Sequence, residues 1–260
     1  MPEITRTDHA ISTLDHHGVA TVTIVDAKPL NILDTSVIEQ VTAAAVELST
    51  RGEVRVLVLR GAGDRAFIGG ADIHEMSALT RTTAEVFIGR LRTLCETFRH
   101  FPTPVIARIP GWCLGGGLEV AMACDLRISS SDARFGMPEV AVGIPSVIHA
   151  ALLPRLIGGG RAASMLLTGE RIGAATALAW GLVNTVCEPS ELDDAVVRAA
   201  HRFCELGPAV VRQQKALLRS WERVPLDQAI TESVQAFGAA FDTGEPHRFM
   251  SEFLNRKRSE

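Results

Sequence analysis

Alternating and helically spaced apolar positions divide the first part of the chain into strands and helices. Three segments rich in β-branched residues alternate as strands do, at 18–25, 54–59 and 105–109. Between them, apolar residues recur at helical spacing over 37–48 and over 87–98. A capping box formed by Thr82 and Glu85 is expected near the start of the second helix. Strands that alternate with helices predict an α/β fold.

The pattern changes towards the C-terminus. Three further short strands are predicted, at 126–129, 133–135 and 182–187. From Pro189 onwards only helical periodicity is seen, including an apolar stripe over 226–241. We therefore expect an α/β core over 1–189 and a helical C-terminal region over 190–260. The apolar stripe of that region needs a partner surface, either within the chain or on another subunit.

Composition and charge restrict the classes of function. With 260 residues, of which 47% are hydrophobic, the chain can bury a large core. A net charge of −4 and a single basic run at 256–258 argue against a nucleic-acid partner. Neither a membrane-spanning apolar run nor a signal-peptide pattern is seen, so we expect a cytoplasmic protein without a membrane partner. The five cysteines contain no C-x-x-C pair and are expected to be reduced packing residues, with no metal site.

The segment 111–125 contains a lone carboxylate within a helix that is otherwise apolar. Leu114, Leu118, Met122 and their neighbours leave no polar face, which is typical of a buried helix. An isolated glutamate on a helix is most often solvated, but the helix that contains Glu119 has no polar face to expose to solvent. We therefore predict that Glu119 is buried and has a chemical role.

Two glycine-rich turns could bind an anion. The run 115–117 stands at the start of this helix, where free N–H groups and the helix dipole favour negative charge. In the other turn, the pair 69–70 allows the N–H of Ala71 to point at a ligand near the carboxyl edge of the sheet. The N–H groups of Ala71 and Gly116 could together form an oxyanion hole, although flexible turns contain the same glycines. The spacing does not match the dinucleotide-binding pattern G-x-G-x-x-G.

A second carboxylate, Glu139, follows a proline within the apolar segment 135–145. A glutamate after a proline often marks only the N-terminus of a helix. Two carboxyl groups in one apolar pocket, however, can have separated pKa values, so that one is ionised while the other holds a proton. Glu119 and Glu139 together could therefore transfer a proton to carbon and activate a water.

Three motifs in this order resemble the enoyl-CoA hydratase/isomerase (crotonase) superfamily. They occupy residues 66–76, 104–125 and 135–145, and the resemblance runs from about residue 10 to residue 255. It implies a spiral of ββα units with a helical C-terminal region that forms homotrimers, often paired into hexamers. The motifs are specific for the superfamily and less specific for the reaction, because the scaffold carries hydratases, isomerases, hydrolases and decarboxylases.

The resemblance also implies how the site works. The N–H groups of Ala71 and Gly116 would bind the thioester oxygen of an acyl-CoA, with an enolate as the intermediate. Glu119 and Glu139 match two positions that are both Glu in hydratases. Glu119 would orient or deprotonate the water, and Glu139 would deliver the proton to the α-carbon. No separate cofactor is expected, since CoA is part of the substrate.

CoA would be bound by the loop 27–31, which matches the family loop after the first hairpin, and by the backbone of 71–73. Six residues are predicted to contact CoA: Ala27, Lys28, Leu30, Gly70, Asp72 and Ile73. The charge of Lys28 suits a phosphate contact, although a solvated loop lysine would have the same sequence context.

The segment 144–155 departs from the family pattern. Hydratases of the family usually follow Gly-x-x-Pro with a Gly-Gly pair, whereas Gly143-Ile-Pro145 is one residue shorter. The next helix is expected to start with the bulky Val147 and Ile148, which would change the room for the acyl chain or the position of the water. His149 on that helix could relay a proton, or it could be a packed or solvated histidine.

Two other places differ from the family. His74 stands where members commonly have lysine, and we expect it near the pocket mouth with Glu75 and Met76 beside the acyl channel. Near the C-terminus, Glu245-Pro replaces the usual Glu-Gly, which leaves open whether Lys257 reaches CoA across a subunit boundary.

The resulting hypothesis is an enoyl-CoA hydratase that adds water reversibly across the α,β double bond. An isomerase or acyl-CoA hydrolase on the same oxyanion hole is the alternative within enzymes. A non-catalytic acyl-CoA-binding protein is a further alternative. Two buried carboxyl groups would destabilise such a protein without serving a reaction, which argues against it.

Overall fold

The computed structural model describes residues 3–257, and all structural statements here refer to these residues. Its strands are β1 (Glu3–Arg6), β2 (Ala10–Leu14), β3 (Val19–Ile24), β4 (Val56–Gly61), β5 (Ala66–Ile68), β6 (Val105–Ile109), β7 (Trp112–Leu114), β8 (Leu126–Ser130), β9 (Arg134–Gly136), β10 (Arg171–Gly173) and β11 (Thr185–Cys187).

Helices connect and cover these strands. They are α1 (Thr35–Ser49), α2 (Ile73–Ser77), α3 (Arg81–Arg99), α4 (Gly116–Ala123), α5 (Leu153–Ile157), α6 (Gly159–Thr168), α7 (Ala174–Trp180), α8 (Leu192–Cys204), α9 (Pro208–Trp221), α10 (Leu226–Ala240) and α11 (Glu245–Lys257). Short 3₁₀ helices occupy Pro138–Val142, Ile148–Leu152, Pro189–Glu191 and Phe241–Thr243.

The strands form two mixed sheets. The larger sheet has the order β1-β2-β3-β4-β6-β8-β11. Its first two pairings are antiparallel and its remaining four are parallel. The smaller sheet has the order β10-β9-β7-β5, with β10 antiparallel to β9 and the other pairs parallel. Parallel pairs need crossover connections, which the intervening helices supply.

Alternate residues of the central strands pack on opposite faces of the larger sheet. Leu57 and Leu59 of β4 belong to the main core with α1 and α3, whereas Val56 and Val58 pack against α8. This division follows from the two-residue period of a strand. The predicted boundary between the α/β core and the helical region, at residue 190, lies just before α8, which covers one face of the sheet. The division of the chain into these two regions stays a prediction.

Helix α4 lies at the centre of the main core. Every residue from Gly116 to Ala123 is buried, as the apolar sequence predicts. Gly117 allows this position, because a Cβ there would be 2.3 Å from the carbonyl oxygen of Ile68 in β5. The N-terminus of α4 is thereby held beside the turn that follows β5.

The strands and helices predicted from periodicity are confirmed, with β11 shorter than expected. The predicted capping box is wrong: α3 starts at Arg81, and its capping box joins Thr80 and Thr83. Thr82 and Glu85 lie inside the helix, where Glu85 pairs with Arg81 at 3.3 Å. Cys95, Cys113 and Cys124 are buried packing residues as expected. No helix of the described chain is long and apolar enough to cross a membrane.

Candidate active site

A cavity of about 350 Å³ lies between the turn after β5, the start of α4 and the segment 138–147. Four of its lining residues are those on which the sequence-based chemistry depends: Ala71, Gly116, Glu119 and Glu139. The fold thus brings together residues from three separate motifs.

The two candidate donor N–H groups, of Ala71 and Gly116, have no hydrogen-bond acceptor among the described residues. Around Ala71 the backbone is held on both sides by Leu33, whose N–H donates to Gly70 O and whose oxygen accepts from the Asp72 N–H, each at 2.9 Å. These bonds leave the intervening N–H of Ala71 free. Unpaired N–H groups at a water-filled or ligand-filled cavity are suited to bind an oxygen with developing negative charge.

Gly115 sets the start of α4. Its φ of +52° lies in the left-handed region that favours glycine, and its N–H donates to Gly136 O at 2.9 Å. A Cβ at Gly115 would lie 2.6 Å from Oε1 of Glu139. The glycine therefore provides both the backbone turn and the space in which the second carboxylate lies.

Glu119 is buried beneath the cavity, with an exposed fraction of 3%. Its Oε1 accepts a hydrogen bond from the backbone N–H of Ala150 at 2.9 Å. The pKa of Glu119 is raised to about 8, chiefly by burial and to a smaller extent by the charge of Glu139, whereas the Ala150 hydrogen bond opposes the shift. Glu119 therefore holds a proton at neutral pH.

Glu139 is half-buried on the 3₁₀ helix Pro138–Val142. Its Oε2 accepts a hydrogen bond from the Ser146 hydroxyl at 2.8 Å, and its Oε1 lies against Gly115. A carboxylate with one oxygen held by a donor has a defined orientation. Ser146 was not predicted from the sequence, because its value as a donor depends on a loop conformation that periodicity does not reveal.

The segment after Gly143 differs from the helix expected there. Residues 144–147 are irregular, and the 3₁₀ helix Ile148–Leu152 begins after Val147. Ile148 has φ of +41°, an unfavourable value for a β-branched residue. Ile148 lies two residues before Ala150, whose N–H donates to Glu119.

His149 is buried, and its Nε2 lies 3.5 Å from Oε1 of Glu96 on α3. Burial lowers the pKa of His149, although the negative charge of Glu96 acts in the opposite direction. No hydrogen bond joins His149 to Glu119 or Glu139. A proton relay through His149 stays a prediction, and its contact with α3 fits the packed alternative.

The two predicted CoA-binding segments are adjacent. Gly69 N–H donates to Leu30 O at 2.8 Å, and Lys28 forms an ion pair with Asp72. This contact raises the pKa of Lys28 and lowers that of Asp72. Asp72 also caps α2 by accepting from the His74 N–H at 2.8 Å. Lys28 is exposed, Ala27 is buried, and Ile73 is exposed beside the cavity.

The expectation that Glu75 neighbours the acyl channel is wrong. Its carboxylate accepts from the backbone N–H of Thr35 at 2.9 Å and from the Thr35 hydroxyl at 2.5 Å, so it joins α2 to the start of α1. Met76 lines the cavity as expected, and His74 is exposed on α2. The side chain of Lys257 lies outside the described residues.

The remaining cavity wall is largely apolar. One side is formed by residues of α2, α3 and β7, and the other by the segment after Glu139. The apolar lining residues include Met76, Phe87, Leu91, Leu114, Val142, Ile144 and Val147. Arg171 of β10 also lines the cavity and lies 5.6 Å from the Trp112 ring centroid. Such a wall suits an apolar acyl group, and Arg171 had no signal in the sequence reasoning.

Comparison with known proteins identifies the family of the chain. A family model for enoyl-CoA hydratase/isomerase matches residues 15–260. The short-chain-enoyl-CoA hydratase of Clostridium acetobutylicum is 36% identical over 243 residues, covering 93% of both chains. The crotonyl-CoA hydratase of Syntrophomonas wolfei is 35% identical over 233 residues, covering 89% of this chain and 90% of that protein.

Solved structures give the same result for the fold. The crystal structure of an enoyl-CoA hydratase from Bacillus anthracis matches with a TM-score of 0.89 at 28% identity, covering 98% of this chain and 96% of that chain. With two mixed sheets and C-terminal helices, the chain has the α/β crotonase fold and belongs to the enoyl-CoA hydratase/isomerase family.

Proposed function

We propose that the protein is an enoyl-CoA hydratase that adds water reversibly across the α,β double bond of an enoyl-CoA thioester. The observation that carries this proposal is the presence of two unpaired N–H groups and two carboxyl groups in one apolar cavity. Two enoyl-CoA hydratase relatives that are 36% and 35% identical to the chain support it.

The N–H groups of Ala71 and Gly116 would bind the thioester oxygen. As the substrate becomes an enolate, negative charge develops on that oxygen, and hydrogen bonds to it become stronger. Removing one donor of this kind typically costs about 3 to 4 kcal/mol of transition-state stabilisation. The N-terminal end of α4 adds a favourable dipole at the same point.

Glu119 and Glu139 would share one proton. In the free protein the raised pKa of Glu119 holds the proton there, which leaves Glu139, held by the Ser146 hydroxyl, as the base. This distribution suits dehydration of a 3-hydroxyacyl-CoA, in which Glu139 removes the α-proton and Glu119 protonates the departing hydroxyl. Hydration is the reverse: Glu119 deprotonates the water and Glu139 protonates the α-carbon.

The CoA portion would enter over the adjacent loops 27–31 and 70–73. Lys28 would contribute a positive charge at the rim, already oriented by its ion pair with Asp72. The exposed Ile73 offers an apolar surface for the adenine ring. The chemistry would require no separate cofactor, and the acyl group would lie along the apolar wall.

A homotrimer, or a dimer of trimers, is the assembly we propose. Helix α10 exposes a continuous apolar stripe in the single chain: Leu226, Ile230, Val234 and Phe237 are each 60–74% exposed. Exposed apolar stripes of this kind mark association surfaces. The cytoplasmic location predicted from the sequence is retained with this proposal.

The reaction is tested by incubating the protein with a panel of enoyl-CoA thioesters and identifying the products by mass and chromatography. Hydration adds one water, isomerisation leaves the mass unchanged, and hydrolysis releases free CoA thiol. We expect the hydrated product. Double-bond migration or thiol release in its place would assign the site to the alternative enzymes, and tight binding without turnover would indicate an acyl-CoA-binding protein.

A further inference from the structure

We propose that Ser146 is a positioning residue for Glu139 and determines which carboxylate oxygen faces the reacting carbon. The inference rests on the proposed hydratase function. It concerns the segment after Gly143, where the chain departs from the family pattern and where the sequence offered no role for the serine.

The geometry holds Glu139 from two sides. Ser146 Oγ donates to Oε2 at 2.8 Å, while Oε1 lies over Gly115, 2.6 Å from the point at which a Cβ would stand. Gly115 immediately precedes the donor N–H of Gly116 on α4. With Oε2 engaged by Ser146, Oε1 is the oxygen directed towards the oxyanion-binding end of the cavity.

The hydrogen bond also affects the charge on Glu139. A hydroxyl that donates to a carboxylate stabilises the ionised form, which is the form required to remove the α-proton. The other ionisable groups lining the cavity are Glu119 on α4 and Arg171 on β10. Glu119 is neutral at neutral pH because its pKa is raised. The donor in direct contact with the Glu139 carboxylate is the uncharged hydroxyl of Ser146.

The same segment also orients the other carboxyl group. Four residues after Ser146, the N–H of Ala150 donates to Oε1 of Glu119 at 2.9 Å. One short stretch of chain therefore supplies a donor to each member of the carboxyl pair. The hydroxyl of Ser146 is a side-chain donor and can be removed without changing the backbone, which makes its contribution measurable.

The test compares Ser146→Ala and Ser146→Thr with the parent protein in dehydration of 3-hydroxybutyryl-CoA, the direction in which Glu139 acts as the base. Because the alanine variant loses a hydrogen bond to a charged group that orients the base, we expect its kcat to fall about tenfold or more. KM should change little, and the threonine variant should restore most of kcat. Ser164→Ala is the matched control, because Ser164 makes a similar bond of 2.7 Å to Glu170 on the exposed surface.

An activity-independent measurement keeps this test separate from the proposed function. In protein labelled with ¹³C-glutamate, the Glu139 carboxyl signal at neutral pH, assigned with Glu139→Gln, should change its chemical shift in Ser146→Ala and keep it in Ser164→Ala, because only the first variant removes the donor to this carboxylate. An unchanged Glu139 signal in Ser146→Ala, or a parent-like kcat, would overturn the role of Ser146. An acyl adduct on Ser146 would also overturn it, by making the serine a nucleophile. If the parent hydrates no thioester, the hydratase proposal fails while the Glu139 carboxyl signal still tests the hydrogen bond.

Discussion

Replacing Glu119 by glutamine should change how the stability of the protein depends on pH. The pKa of Glu119 is raised from its ordinary 4.5 to about 8, so ionising this carboxyl costs more in the folded than in the unfolded state. The cost is absent below about pH 4.5, grows with pH, and becomes constant above about pH 8. At about 1.4 kcal/mol per pH unit, it reaches about 5 kcal/mol in total and about 3 kcal/mol between pH 5 and pH 8.

The assay is urea unfolding of parent and Glu119→Gln at fixed protein concentration over this pH range. Glutamine has nearly the same shape and does not ionise. The free energy of unfolding of the variant minus that of the parent should therefore increase by about 3 kcal/mol from pH 5 to pH 8. Glu47→Gln, on the exposed face of α1, controls for the exchange itself. A difference between parent and variant that is independent of pH would refute the assignment of a neutral, buried Glu119.

Further predictions concern the site, its pH dependence and the assembly. Gly117→Ala should lower the melting temperature and the yield of folded protein, because its Cβ would meet the Ile68 carbonyl at 2.3 Å, and overpacking typically costs about 1 to 3 kcal/mol. Initial rates in both directions should fall as pH rises through about 8, where Glu119 loses the shared proton; rates that stay level to higher pH would contradict this. Lys28→Ala should raise KM for the thioester with little change in kcat. An unchanged KM would show that Lys28 pairs with Asp72 but does not bind CoA. Phe237→Asp should reduce the oligomer measured by light scattering, and an unchanged mass would place the interface elsewhere.

Much of the fold follows from local sequence patterns. Alternation of β-branched residues located β3, β4 and β6, and an all-apolar surround predicted that Glu119 is buried. These signals are strong because β6 and α4 are buried along their whole length, β4 is buried at all but one residue, and β3 is buried at every second residue. The short strands of the smaller sheet, such as β5 and β7, have too few residues to show a period.

The parts that sequence reasoning missed depend on tertiary contacts. The expected helix start at Val147 is replaced by an irregular segment and a 3₁₀ turn, with Ile148 in a backbone conformation that its side chain disfavours. Local propensity cannot predict a strained turn that the surrounding structure imposes. Ser146 meets Glu139 across the irregular segment between them. Glu75 bonds Thr35, which lies 40 positions earlier in the chain.

The central claim is that Glu119 and Glu139 act together on a thioester held by the N–H groups of Ala71 and Gly116. The most direct test is the hydration of crotonyl-CoA by the parent, Glu119→Gln and Glu139→Gln, with the product identified by mass. We expect the parent to form the product with one added water and each variant to lose at least about a hundredfold in kcat, in line with the loss of acid–base catalysis. Hydration by either variant at the parent rate would contradict it.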